Sequence, residues 1–169
     1  MLHPRTSGKR RRFRKQPRSS HGGLQRGPCL ILVTVDTTEL SLPSCIESVA
    51  AAAAAVAEFM SRSLIGEDAA FGIDMAVREA VTNAVIHGNK QDEAKTVDLT
   101  LKSSPDAVEI IVHDQGAGFN PTEVPDPTKE ENILKTSGRG IFFMRSFMDE
   151  VSWLIRPEGG TTVRMLKRR

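Results

Sequence analysis

REAVTNAVIHGN, residues 78–89, reads as helix, yet it spaces an acid, an amide and an imidazole evenly: Glu79, Asn83 and His87 lie four residues apart. At about 100° per residue they drift only about 40° per step, so they share one face. The other side carries Ile73, Val77, Ala80, Val81, Ala84 and Val85, an apolar stripe fit for a core. A helix that lines up Glu and Asn opposite its core, with no run of solvating lysines, has a second face with some task besides solvation.

Working outward, this helix begins near Glu67, after Gly66, and its stop signal is Gly88-Asn89. Before it, SLPSCIESVAAAAAAVAEFMSRSL reads as another helix to about Ser63, with Ser44 as cap and Glu47 three residues on, as in a capping box. LILVTV, residues 30–35, is dense in β-branched residues and predicts a strand. After the helices, Val97, Leu99 and Leu101 alternate with polar residues, and Val108, Ile110 and Val112 do the same beyond SSPD. That pattern predicts a hairpin. Residues 115–138 hold prolines, glycines and charges with weak periodicity, a long loop of the kind that serves as a lid or stays disordered. GRGIFFMRSFM predicts a short helix, and EVSWLIR and TTVRML around PEGG a closing hairpin with Trp153 on the core or sheet face. Helices on one face of a mainly antiparallel sheet make an α+β two-layer sandwich.

Composition sets bounds. The 169 residues are enough for one domain with a real core, and 39% hydrophobic with 26% charged is ordinary for a soluble globular chain. No run reaches the roughly 18 apolar residues of a membrane span. Cys29 and Cys45 lack metal-ligand spacing and suit a reducing cytosol. The net charge of +2 hides an asymmetry: residues 1–28 hold nine of the 23 basic residues and no acid, leaving 14 basic and 21 acidic residues, a formal −7. The sequence therefore divides into a basic tail, 1–28, expected to be disordered, and a domain, 29–169. A nucleic-acid or anionic-surface arm, a solvated tail with no specific role, and upstream sequence from a misplaced start all fit the tail. It lacks the apolar segment of a secretory signal.

Three further motifs carry chemistry. DQGAGF, Asp114 to Phe119, ends a strand; by itself it is also a plain glycine turn. SGRGI, Ser137 to Ile141, puts glycines and Arg139 at a helix start, where exposed N–H groups suit anions, although a flexible helix entry has the same look. GGTT, Gly159 to Thr162, leads into the last strand. None matches the P-loop or dinucleotide fingerprints.

In combination they are far more specific. E-x-x-x-N-x-x-x-H-G on a helix, D-x-G-x-G after a strand, a long loop, G-x-G opening a helix and G-T entering the last strand resemble the ATP-binding fold shared by gyrase, Hsp90, histidine kinases and MutL (the GHKL superfamily). Within it, EAVTNAVIHG and GRGIFFMRSFMDEV look most like the anti-sigma factor serine kinases. The resemblance covers residues 30–169 and implies ATP and Mg²⁺ as cofactors. It makes Glu79 the general base and Asn83 the magnesium ligand. It makes Asp114 the acceptor for the adenine amino group, Gly116 and Gly118 the close-approach and hinge glycines, Gly138, Arg139 and Gly140 the phosphate-side box, and Thr161 a threonine near adenine and its water. A phosphate contact and a solvated side chain both fit Arg139. Lys129 and Lys135 in the long loop could touch phosphates or nothing specific, and His87 could be a structural histidine at a helix end.

The implied activity is γ-phosphoryl transfer to a Ser or Thr of an anti-sigma-factor antagonist, by a cytoplasmic homodimer that also binds a sigma factor. A non-catalytic ATP-dependent binding switch is the main alternative. The catalytic half of a histidine kinase would need an upstream phospho-accepting helical domain, for which residues 1–28 are too short and too polar. A nucleic-acid-binding role would rest on the tail alone.

Overall fold

The alternation at 97–101 and 108–112 extends to eight-residue strands: β2 is Thr96–Ser103 and β3 is Ala107–Asp114, each burying every second residue. They pair antiparallel from Val97↔Asp114 to Ser103↔Val108. The structure, a computed structural model, describes residues 36–63, 65–118, 139–157 and 159–169. The expected tail, the strand at 30–35, most of the long loop, Gly138, Lys129 and Lys135 lie outside them.

The remaining strands are β1 (Asp36–Pro43), β4 (Glu150–Ile155) and β5 (Thr161–Arg168), and the sheet order is β1-β2-β3-β5-β4 with every pairing antiparallel. Among the described residues three α-helices pack against it: α1 (Glu47–Arg62), α2 (Glu67–Asn83) and α3 (Arg139–Phe147). This is the α+β two-layer sandwich. Its core joins Val56 and Phe59 of α1, Ile73, Val77 and Val81 of α2, and Met144 of α3 to Leu99, Leu101, Ile110 and Met165 of the sheet. Trp153 packs partly buried on the core side of β4, with the Arg145 guanidinium 5.2 Å from its ring centroid.

Two local expectations need correction, and β1 is a strand that the sequence reading left unassigned, lying between the expected strand at 30–35, outside the described residues, and the first helix. An edge strand shows little apolar content, here Leu40 and Leu42 on the core side, so its alternation is faint. Ser44 does not cap α1: the cap position is Ile46 with no side-chain bond, and the buried Ser44 hydroxyl has no partner, while Ser48 Oγ donates to the Pro43 carbonyl at 2.6 Å. Nor does the α-helix run to His87. After Asn83 it widens into a π turn, Ala84–Gly88, closed by Asn89 N–H donating to the Ala84 carbonyl at 2.7 Å. The left-handed residues that end it are Lys90 and Gln91, φ 58° and 55°, rather than Gly88-Asn89.

The far end of α3 is tied to β5. Lys167 Nζ donates to the Phe147 carbonyl at 2.8 Å and lies 3.5 Å from Asp149, whose carboxylate accepts the Arg168 N–H at 2.6 Å. That backbone N–H, against some desolvation and with the Lys167 charge beside it, holds the Asp149 carboxyl below its usual range.

Leu99 sits fully buried in a central strand, so the core has little freedom to collapse around a smaller residue. Leu99→Ala should lower the unfolding free energy by about 2–5 kcal/mol, measured by urea denaturation. A change below about 1 kcal/mol would contradict this placement of the core.

Candidate functional site

Asp114 ends β3 and is only 5% exposed, although it carries a carboxylate. A buried charge needs hydrogen bonds in place of water. Its Oδ1 accepts the Gly116 N–H at 2.8 Å and the Thr161 N–H at 3.2 Å. No hydrogen bond reaches Oδ2 from the described residues, so one acceptor stays available.

Close packing on this carboxylate requires missing side chains. A Cβ on Gly88 would stand 2.5 Å from Asp114 Cγ, and one on Gly116 would overlap the Gly88 carbonyl. The π turn thus delivers a bare Cα to the face of the acid. On the other side, Gly160, with φ +88°, has its Cα against the Asp114 carbonyl and donates its N–H to the Gly116 carbonyl at 2.7 Å. Thr161 is buried, and its hydroxyl has no partner. An orphaned hydroxyl beside a carboxylate with a spare oxygen forms a donor–acceptor pair suited to the edge of a nitrogen heterocycle and a bridging water.

The second half of the site lies further back along the same helix. Asn83 Nδ2 donates to Glu79 Oε1 at 3.0 Å. This fixes the amide so that its oxygen points away from the acid, and neither Asn83 Oδ1 nor Glu79 Oε2 has a bond among the described residues. Gly140, in the first turn of α3, lies so close to Glu79 that a Cβ there would overlap Oε1. Arg139 opens the same turn, exposed. From Glu79 to Gly88 the helix advances about 13 Å.

The described residues therefore bring Asp114, Gly116, Gly160 and Thr161 together at one end, and Glu79, Asn83 and Gly140 at the other. Gly118, φ +93°, follows on the loop. His87 does not join them. The widened turn breaks the even phase after Asn83, and His87 is exposed without a hydrogen bond among the described residues. Sequence reasoning did not name Gly88 and Gly160 as site residues, although both stand inside the recognised motifs, Gly88 at the end of E-x-x-x-N-x-x-x-H-G and Gly160 within GGTT.

A model of the histidine kinase-like ATPase domain matches residues 42–167. The chain belongs to this family. It is 33% identical over 141 residues to the serine-protein kinase RsbW of Staphylococcus epidermidis, covering 79% of this chain and 87% of the relative. It is 35% identical over 132 residues to the anti-sigma F factor of Oceanobacillus iheyensis, covering 76% and 89%. An anti-sigma F factor of Clostridium perfringens matches at 39% over 100 residues, 57% of this chain and 70% of that one. As a histidine kinase-like ATPase domain, the chain has its acid–glycine cluster and its Glu–Asn pair on the matched segment.

The tight turn at Gly160 generates a prediction. Its positive φ and the backbone oxygen at the Cβ position leave nothing flexible to yield. Gly160→Ala should destabilise the fold by about 1–3 kcal/mol in thermal or denaturant unfolding. Gly66→Ala, where a Cβ meets nothing within 4 Å, serves as control. Equal stability of the two variants would contradict the turn geometry.

Proposed function

We propose that this chain is an ATP-dependent serine/threonine protein kinase that phosphorylates an anti-sigma-factor antagonist and binds a sigma factor. The observation that carries the reading is the pairing of a hydrogen-bonded Glu79–Asn83 unit on α2 with a buried carboxylate at the end of β3 that packs against glycines and whose Oδ2 accepts no bond from the described residues. Asp114 Oδ2 accepts the adenine amino group, and guanine is disfavoured because it presents a carbonyl there. Gly88 and Gly116 let the backbone close on Asp114 and hold its carboxylate in place, and the orphaned Thr161 hydroxyl takes a bridging water.

Magnesium fits this donor set. Among the described residues no group of three or more His, Cys, Asp or Glu could hold a metal, so the ion's ligands come mainly from phosphates and water. Asn83 Oδ1 is a hard oxygen that adds no charge beside them. Bound there, Mg²⁺ would offset the charge of the β- and γ-phosphate oxygens.

Glu79 serves as the base. The acceptor hydroxyl oxygen forms a bond to the γ-phosphorus while the bond to the β-bridging oxygen breaks, and ADP leaves with that electron pair. The hydroxyl proton passes to the Glu79 carboxylate. Asn83 holds that carboxylate through Oε1, which leaves Oε2 for the proton. The phosphate side is completed by N–H groups at the start of α3, with Gly138, Arg139 and Gly140 as the box and Gly118 as hinge.

The same reading takes residues 29–169 as the kinase domain with the tail outside it, and places the protein in the cytoplasm as a homodimer. No described helix is long and apolar enough to cross a membrane. Removal of residues 1–28 should leave the melting temperature and ATP affinity nearly unchanged; a large fall in either would put the tail inside the domain.

The direct test incubates the chain with labelled ATP, Mg²⁺ and candidate antagonists encoded nearby, and looks for phosphoserine or phosphothreonine. Glu79→Gln should keep nucleotide binding and lower single-turnover transfer by about 10²–10⁴-fold. Asn83→Ala should weaken Mg²⁺-dependent ATP binding and also slow transfer at saturating ATP, since it removes the bond that steers Glu79. Wild-type transfer from Glu79→Gln would refute the base. Absence of transfer by the wild type to any antagonist, with ATP-dependent capture of one, would favour a non-catalytic binding switch.

A further inference from the structure

Asn89 is 1% exposed and spends both ends of its amide on main chain. Nδ2 donates to the Thr96 carbonyl at 2.8 Å, and Oδ1 accepts the Gln115 N–H at 2.8 Å. The knot closes through Gln115 itself, whose Oε1 accepts the Thr96 N–H at 3.0 Å.

The place of this knot matters. The β2–β3 ladder begins at the pair Val97↔Asp114, and Thr96 and Gln115 are the next residues outward on each strand. Strand ends fray when their last backbone groups lack partners. Here two side-chain amides supply an extra rung one residue beyond Asp114. Asn89 also directly follows Gly88, whose Cα lies against the Asp114 carboxylate, so the bonds that seal the ladder also hold the helix end on the acid. The π turn makes this possible: its closing bond from Asn89 N–H to Ala84 brings the residue to the strand ends.

We propose that Asn89 is a positioning residue for purine recognition: by tying Gln115 to Thr96 it holds the Asp114 carboxylate in the orientation that selects a purine bearing a 6-amino group. The proposal rests on the reading that Asp114 faces adenine. Asn89 itself does not touch the ligand, because its oxygen and its amide nitrogen are both engaged and buried. Its effect is confined to the contact that Asp114 makes.

That confinement makes it testable. The full chain binds two probes, ATP and the triphosphate of purine riboside, which lacks the 6-amino group. The wild type should favour ATP. In Asn89→Ala that preference should fall by at least about tenfold, the factor set by weakening one charged hydrogen bond. Affinity for the purine riboside triphosphate should hold. In an Asp114→Asn background Asn89→Ala should change the preference no further, because both substitutions act on one contact. Gln115→Ala alters an exposed side chain and removes only the Thr96 bond, so it should give a smaller loss in the same direction.

An Asn89→Ala protein that keeps the wild-type preference, or that weakens both probes equally, overturns the proposal. If that variant does not fold, an unchanged preference in Gln115→Ala overturns it instead. An Asp114→Asn protein with the full wild-type preference for ATP would strike the adenine reading itself, a distinct failure.

Discussion

The burial of one carboxylate organises this molecule's functional end. Asp114 ends in a carboxyl group, and such a group removed from water is tolerated only with donors fixed around it. Two of those donors are backbone N–H groups, from Gly116 in its own loop and Thr161 at the start of β5. Backbone donors come within reach only where side chains are small or absent. This is why glycine stands at 88, 116 and 160, each packed against Asp114 or against a neighbour that is. Two segments far apart in sequence, at 88 and at 160–161, are thereby locked to the end of β3.

The constraint spreads through α2. A regular helix ending at Asn83 would not present Gly88 and Asn89 as they are found. The π turn inserts the extra length, and such turns are frequent at functional sites. The same helix carries Asn83 and Glu79 about one and two turns earlier, so the Glu79–Asn83 pair and the glycine packed on Asp114 share one rigid support. Gly140 then brings the first turn of α3 against Glu79, and Lys167 and Asp149 tie the other end of α3 to the sheet. Catalytic precision of this kind is obtained more readily from helices and strands than from loops.

Much of this was legible in the sequence because the signals were local and periodic. Val97, Leu99 and Leu101, and the stripe from Ile73 to Val81, report their burial through spacing alone. Asp114 and its glycines could be singled out as a motif. β1 was left unassigned because an edge strand needs few apolar residues to do its work. Ser44 has the composition of a cap, yet the chain turns into α1 two residues later and leaves its hydroxyl unused. The π turn has no composition of its own: AVIHG is ordinary helix former and stop. Asn89 was read only as a stop signal, since its partners lie 7 and 26 residues away and no short-range pattern connects them. The spacing of Asn83 and Glu79 foreshadowed that they are neighbours, but not the hydrogen bond that makes the two side chains mechanically one unit.

On the proposed function, Asp114 and the Glu79–Asn83 pair mark the two ends of a single ATP, which a crystal structure of the chain with Mg²⁺ and a non-hydrolysable ATP analogue would reveal. The adenine amino nitrogen is then expected about 2.7–3.2 Å from Asp114 Oδ2, and the triphosphate along α2 with its metal on Asn83 and its γ-phosphate beside Glu79. Adenine bound away from Asp114, or a triphosphate directed away from Glu79 and Asn83, would contradict it.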